Sequence, residues 1–295
     1  MPPVVAISIL AQSGASPRQP LPLVTGAKVV TLWLEGSPTL KGLDRKEVFT
    51  LTPGRPERVK KVVNIHNPSI ELHLAPAGKA NGVGIILAAG GGNTELNVGT
   101  EGTDVAIRLN DPGISAFIPR YRLRPYSSNV DAMADTQRSI RLVRANAKEW
   151  SVDPAKIGIM GFSAGGEQAA RVALNFDIGT PDATDPVDEK SNRPDFVALV
   201  YAGWGKLDVS RISKNAPRAF LTSAGIDDAF HARQTVEFYN ALFTAKPPIP
   251  VELHIYGHGG HAGGLGVRKG IPFGTWHNRF TEWLTDLGMM QAAHC

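Results

Sequence analysis

The chain has 295 residues, 42% of them hydrophobic and 20% charged, with a formal net charge of +4. That length holds one α/β domain or two smaller ones around a large core, and the composition is ordinary for a soluble globular protein. Lys and Arg are scattered, so no basic run points to nucleic acid or an anionic membrane, and no stretch approaches the length of a membrane span.

In chain order, residues 4–11 are a short apolar stretch followed by small and polar residues. They read equally as the end of a signal peptide lacking its basic region or as an apolar tail with no targeting role, so export and cytoplasm both stay open. The single cysteine, Cys295, excludes an intrachain disulfide and suits either compartment. Residues 1–55 are rich in Pro and Gly without sustained periodicity, which predicts an irregular leader packed on a core. Residues 56–295 are expected to form a single catalytic domain. Two short β-type runs, 62–66 and 70–74, flank the turn signal Asn67-Pro68 and are expected to pair antiparallel. The apolar runs 83–89 and 114–121 read as strands buried on both faces. A long helix is predicted to begin near Ser128 or Asp131, with Met133, Ile140, Val143, Ala147 and Trp150 at helical spacing.

Next comes the apolar strand 156–160, then Gly161-Phe162-Ser163-Ala164-Gly165, then a helical segment, 166–174. The pentapeptide alone is a weak signal. Its position between a strand and a helix is a strong one, because a serine on a tight strand-to-helix turn is a nucleophile elbow, and the turn leaves no room for side chains at the flanking positions. Strands at 196–201, 219–223 and 251–256 then alternate with helices at 232–245 and 274–287. Such alternation implies a mainly parallel sheet covered on both faces. An antiparallel start followed by parallel βα units resembles the layout of the α/β-hydrolase fold. The polar, Asp-rich segment 175–194 is expected to wall the cleft.

A serine hydroxyl needs a base in hydrogen-bond contact, itself oriented by a carboxylate, and in this layout the chain order is Ser, acid, His. The glycine-flanked loop after strand 251–256 carries His261, with His258 as rival; His254 lies inside the strand and reads as structural. The acid is Asp228 or Asp227, after strand 219–223. The oxyanion requires fixed backbone N–H donors: one from Ala164, the others from Gly90 and Gly91 in the run Gly90-Gly91-Gly92-Asn93. A phosphate cradle is excluded because no Lys-Ser or Lys-Thr follows these glycines. The histidines at 254, 258 and 261 could suggest zinc, but glycine spacing and triad order account for them, so no metal is expected. Arg122 and Glu167 read as a structural ion pair behind the site, and Trp204 as either a sugar-stacking platform or a core side chain.

Ala89-Gly90-Gly91-Gly92, Tyr121-Arg122-Leu123, residues 131–144, the block 157–166, and Glu252-Leu253-His254-Ile255-Tyr256 with Gly259-Gly260-His261 resemble the α/β-hydrolase superfamily. Within it they resemble the bacterial carbohydrate acetyl esterases and the feruloyl and acetyl-xylan esterase-like proteins. The resemblance covers roughly residues 60–290. It implies a cofactor-independent serine esterase that removes short acyl groups from a saccharide or similar ester, with Ser163, Asp228 and His261 as triad. Two other readings are a peptidase of the same fold, which would normally bring an added domain, and a hydrolase-fold protein that only binds carbohydrate.

Overall fold

The computed structural model describes residues 20–40, 46–226, 228–265 and 270–291. Cys295, the apolar stretch 4–11 and Asp227 lie outside them. Among the described residues, ten strands run in chain order: β1 Lys28–Thr31, β2 Val48–Thr52, β3 Arg55–Val63, β4 Ser69–His73, β5 Gly82–Ala88, β6 Ser115–Arg120, β7 Val152–Phe162, β8 Phe196–Val200, β9 Arg218–Ala224 and β10 Val251–Tyr256. The helices are α1 Asp104–Asn110, α2 Met133–Ala145, α3 Ala164–Leu174, α4 Ala229–Phe243 and α5 Trp276–Asp286. Among the described residues, no helix is long and apolar enough to cross a membrane.

Eight strands form one sheet in the order β1-β4-β6-β5-β7-β8-β9-β10. From β6 to β10 every neighbouring pair is parallel, whereas β4 runs antiparallel to both β1 and β6. This is the expected α/β-hydrolase arrangement. The pairing at its start differs from expectation. Runs 62–66 and 70–74 do not form a hairpin; β3 pairs with β2 in a separate two-stranded sheet. The reason lies in burial. β4 is closed in on both faces from Ser69 to Leu72, so it belongs inside the large sheet, while β3 is exposed at residues 55–57 and buries only Val59 and Val62. The leader is also less irregular than its composition suggests, since it supplies β1 at the sheet edge and β2.

Strands β5, β6, β8 and β9 are buried almost throughout because helices cover both faces, and the core runs along them from Val83 to Leu221. The turns set by Gly113 and Asn110 lead α1 back into β6 through Ile114 N–H to the Leu109 carbonyl. The chain leaves β5 for β6 on one side, crosses back over β5, and enters β7 and then β8 on the other. Strand order therefore reverses between β5 and β7, and a crevice opens at their carboxyl ends. The glycine loop after β5 and the elbow after β7 meet in that crevice.

Segment 175–194 starts at the foot of α3 and re-enters the sheet at β8, at the end of the strands opposite the elbow. Arg138 of α2 pairs with Asp188 at 2.7 Å and with Asp185, and Arg141 pairs with Asp177 at 2.6 Å. These contacts pin the segment along α2. It does not wall the cleft, because an α-to-β connection cannot lie at the carboxyl ends of parallel strands without crossing the sheet.

Candidate active site

Ser163 sits at φ 51°, ψ −121°, a conformation that strains a residue with a side chain, and α3 begins at the next residue. The elbow is as tight as its sequence requires. A Cβ on Gly161 would collide with the Gly165 carbonyl, and one on Gly165 with the Ala88 carbonyl. Three hydrogen bonds hold the bend: Ser163 N–H donates to the Val200 carbonyl at 3.2 Å, and the Ser163 carbonyl accepts from Glu167 N–H and Gly203 N–H, each at 3.2 Å. The hydroxyl is thereby presented at the head of a helix, where the backbone carries partial positive charge.

Ser163 Oγ lies 2.9 Å from His261 Nε2, and His261 Nδ1 donates to Asp228 Oδ2 at 2.9 Å. A carboxylate oxygen facing Nδ1 fixes the tautomer, leaving Nε2 as acceptor for the serine proton. The hydroxyl and carboxylate of this site face His261 and not His258. Asp228 is buried at the head of α4, whereas the His261 side chain is 34% exposed, so the site opens to solvent. Burial pulls His261 below an ordinary imidazole pKa, and repulsion from the adjacent His231 pulls the same way; the hydrogen bond that His261 donates to Asp228 opposes both. Asp227, the alternative acid, lies outside the described residues.

The glycine loop corrects one expectation. Gly90 N–H donates to Glu101 Oε2 at 2.7 Å, so it cannot serve a developing oxyanion. Gly90 is instead a spacer behind the nucleophile: a Cβ there would meet the Phe162 carbonyl at 2.5 Å and the Ser163 Cβ at 2.8 Å. Among the described residues, no acceptor takes the N–H of Gly91. Ala164 is the first residue of α3, where backbone N–H groups have no intrahelical partner. The N–H groups of Gly91 and Ala164 are thus left without a protein acceptor among the described residues.

Three residues essential to this geometry escaped the sequence reading. Glu101 is buried and links the glycine loop to Tyr201, whose hydroxyl donates to Glu101 Oε1 at 2.8 Å. The same hydroxyl accepts Gly264 N–H at 2.9 Å, and the Tyr201 ring meets the His261 ring edge-on at 5.2 Å. The glycine loop and the histidine loop are thus tied together through two buried side chains, and the Tyr201 ring also meets Phe162 of the elbow with centroids 5.9 Å apart. No local pattern marks Glu101 or Tyr201. The third, His231, does carry a signal: it follows Asp228 by three residues at the start of a helix, the spacing at which side chains meet. Its Nδ1 donates to Asp228 Oδ1 at 2.5 Å, and its ring stacks on His261 with centroids 3.8 Å apart.

Other expectations resolve differently. Arg122 does not pair with Glu167. Its guanidinium is bidentate to Asp135 at 2.7 and 2.8 Å and reaches Asp131 at 3.4 Å, while Glu167 pairs with Arg171 at 2.6 Å. Asp135 lies in the first turn of α2 and also accepts the Arg122 backbone N–H at 2.9 Å, so it holds the arginine from both side chain and backbone. Trp204 is a core side chain: it is buried against Phe238, and its backbone is clamped from both sides by Gln234. His254 pairs with Glu252 at 2.6 Å, which in turn holds Arg279 at 2.6 Å. Among the described residues, the potential metal-binding side chains that converge are Asp228, His231 and His261. The hydrogen bonds among them already account for that convergence.

Residues 70–242 match the BD-FAE family. An acetylxylan esterase of Xylanibacter ruminicola is 30% identical over 231 residues, 72% of this chain and 45% of that protein. This chain spans less than half the length of the curated relatives it matches. Among solved structures, an acetyl ester-xyloside bifunctional hydrolase from Caldicellulosiruptor lactoaceticus superposes with a TM-score of 0.73 at 28% identity, covering 91% of this chain and 99% of that one. An esterase from Thermogutta terrifontis superposes with a TM-score of 0.69 at 16% identity, covering 92% and 96%, a likeness of fold alone. The match spans more than half of the chain and contains the elbow, the glycine loop and Asp228: the chain belongs to the BD-FAE family.

Proposed function

We propose that the chain is a serine carboxylic-ester hydrolase working through an acyl-enzyme on Ser163. The observation that carries this reading is the unbroken path Ser163 Oγ, His261 Nε2, His261 Nδ1, Asp228 Oδ2, with both contacts at 2.9 Å. His261 Nε2 takes the hydroxyl proton as Oγ attacks the ester carbonyl carbon. The carbonyl oxygen becomes an oxyanion and accepts from Gly91 and Ala164 N–H, while Asp228 balances the imidazolium. Collapse of the intermediate breaks the bond to the alcohol oxygen, which leaves with the proton from His261. A water then attacks the acyl carbon, gives its proton to His261, and Ser163 Oγ leaves and recovers its proton. The carboxylic acid is released.

The substrate class we favour is a short acyl group, such as acetyl, on a saccharide. Two things support it: the open mouth beside Ser163, and the names of the two relatives at 28–30% identity, an acetylxylan esterase and an acetyl ester-xyloside hydrolase. Hydrolysis of p-nitrophenyl acetate by the wild type and by Ser163→Ala tests the reaction. Loss of turnover in the variant supports the nucleophile assignment, and equal rates refute it. Release of acetate from acetylated xylan, set against ferulate release from feruloyl esters and against longer acyl chains, tests the substrate.

A further inference from the structure

The proton path leaves one side chain in contact with it unused. His231 donates Nδ1–H to Asp228 Oδ1 at 2.5 Å, the carboxylate oxygen that His261 does not take. Its ring lies nearly parallel to that of His261, at 15° with centroids 3.8 Å apart. A carboxylate that accepts from an imidazole at each oxygen cannot turn about its terminal torsion without losing both bonds. The His231 ring is itself wedged in place. Its outer edge presses on Gly203, where any Cβ would collide with it, and the Phe230 ring stands edge-on at 5.0 Å. Gly203 N–H donates in turn to the Ser163 carbonyl, so the wedge spans from the acid to the nucleophile's own backbone.

We propose that His231 is a positioning residue of this site: it locks the Asp228 carboxylate and the ring plane of His261, and sets the charge against which His261 accepts the serine proton. The inference rests on the esterase reading above. The titratable groups facing the stacked pair are Asp228 from the head of α4, Glu101 from the turn before α1, and Tyr201 from the end of β8. None of these takes over the bond to Asp228 Oδ1.

The test compares His231→Phe, which keeps a flat ring and loses the donor, with His231→Asn, whose amide nitrogen stands where Nδ1 stood. On p-nitrophenyl acetate, Phe lowers kcat roughly 10- to 100-fold, the worth of one hydrogen bond to a charged group, with KM within a few-fold of wild type. Asn restores most of that loss. In both variants the acid limb of kcat/KM moves to higher pH, because the second imidazole no longer opposes charging of His261. Wild-type kcat and an unmoved limb in Phe overturn the proposal, and so does an Asn variant as slow as Phe with the limb in place, which would mean packing alone. If Phe does not fold, the limb of the Asn variant decides. Ser163→Ala, run alongside, separates the two layers. An inactive Ser163→Ala with unaltered His231 variants overturns only this inference, whereas an active Ser163→Ala removes the esterase reading and this inference together.

Discussion

Replacing Asp228 with Asn removes one charge and turns one acceptor into a donor without changing the shape of the side chain. In the native site each carboxylate oxygen accepts from an imidazole, at 2.9 Å from His261 and 2.5 Å from His231. An amide offers one oxygen and one NH2, so one imidazole must face a donor and change tautomer. If that imidazole is His261, its proton moves to Nε2, which can no longer accept from Ser163. The electrostatic loss adds to this. Unit charges 2.9 Å apart attract by about 6 kcal/mol at an effective dielectric constant of about 20. The His261 side chain is 34% exposed, and solvent screening brings that to about 3–4 kcal/mol, or two to three orders of magnitude in rate. The assay is steady-state hydrolysis of p-nitrophenyl acetate at pH 8, with thermal unfolding in parallel. The expected result is a kcat lower by about 100- to 1,000-fold, KM within a few-fold, and a melting temperature changed by no more than about 5 °C. A folded variant whose kcat stays within tenfold of wild type would refute the reasoning, since the imidazolium would then have another counter-charge.

Tyr201→Phe removes the hydroxyl that bonds Glu101 and the Gly264 amide, so unfolding in urea should show a loss of about 2–3 kcal/mol. The kcat should fall with it, because Gly264 lies in the loop that presents His261; no change in either would mean the bridge is idle. His261 must be neutral to act as base and its pKa lies below the ordinary value near 6.5, so the acid limb of kcat/KM should fall below pH 6.5, and a limb above that value contradicts the burial argument. The same depression makes the unfolded chain the better proton binder between the two pKa values. Stability therefore falls as pH drops from about 6.5 through that window, which chemical unfolding at several pH values would detect as a shift in midpoint.

Much of the scaffold was legible in the residues. The elbow could be read because steric demand at Gly161 and Gly165 is local: a Cβ at either would strike backbone a few residues away or on the adjoining strand. The parallel strands could be read because burial on both faces leaves apolar runs such as 83–89. The start of the sheet could not. Two short strands a few residues apart look like a hairpin, yet β4 takes β1 and β6 as neighbours, and β3 turns away to β2. Proximity in sequence favours pairing, but burial of both faces of β4 outweighs it.

Sequence alone therefore determined the order of the strands from β5 onward, the place of the bend that carries Ser163, and the loops that carry His261 and Asp228. These follow from backbone sterics and periodicity, which act over a few residues. Tertiary structure decided partner choice. It gave Gly90 N–H to Glu101, Arg122 to Asp135, Trp204 to the core, and the second oxygen of Asp228 to His231. A buried polar group must bond whatever the fold brings within about 3 Å of it, and a residue's position in the chain does not encode which group that is.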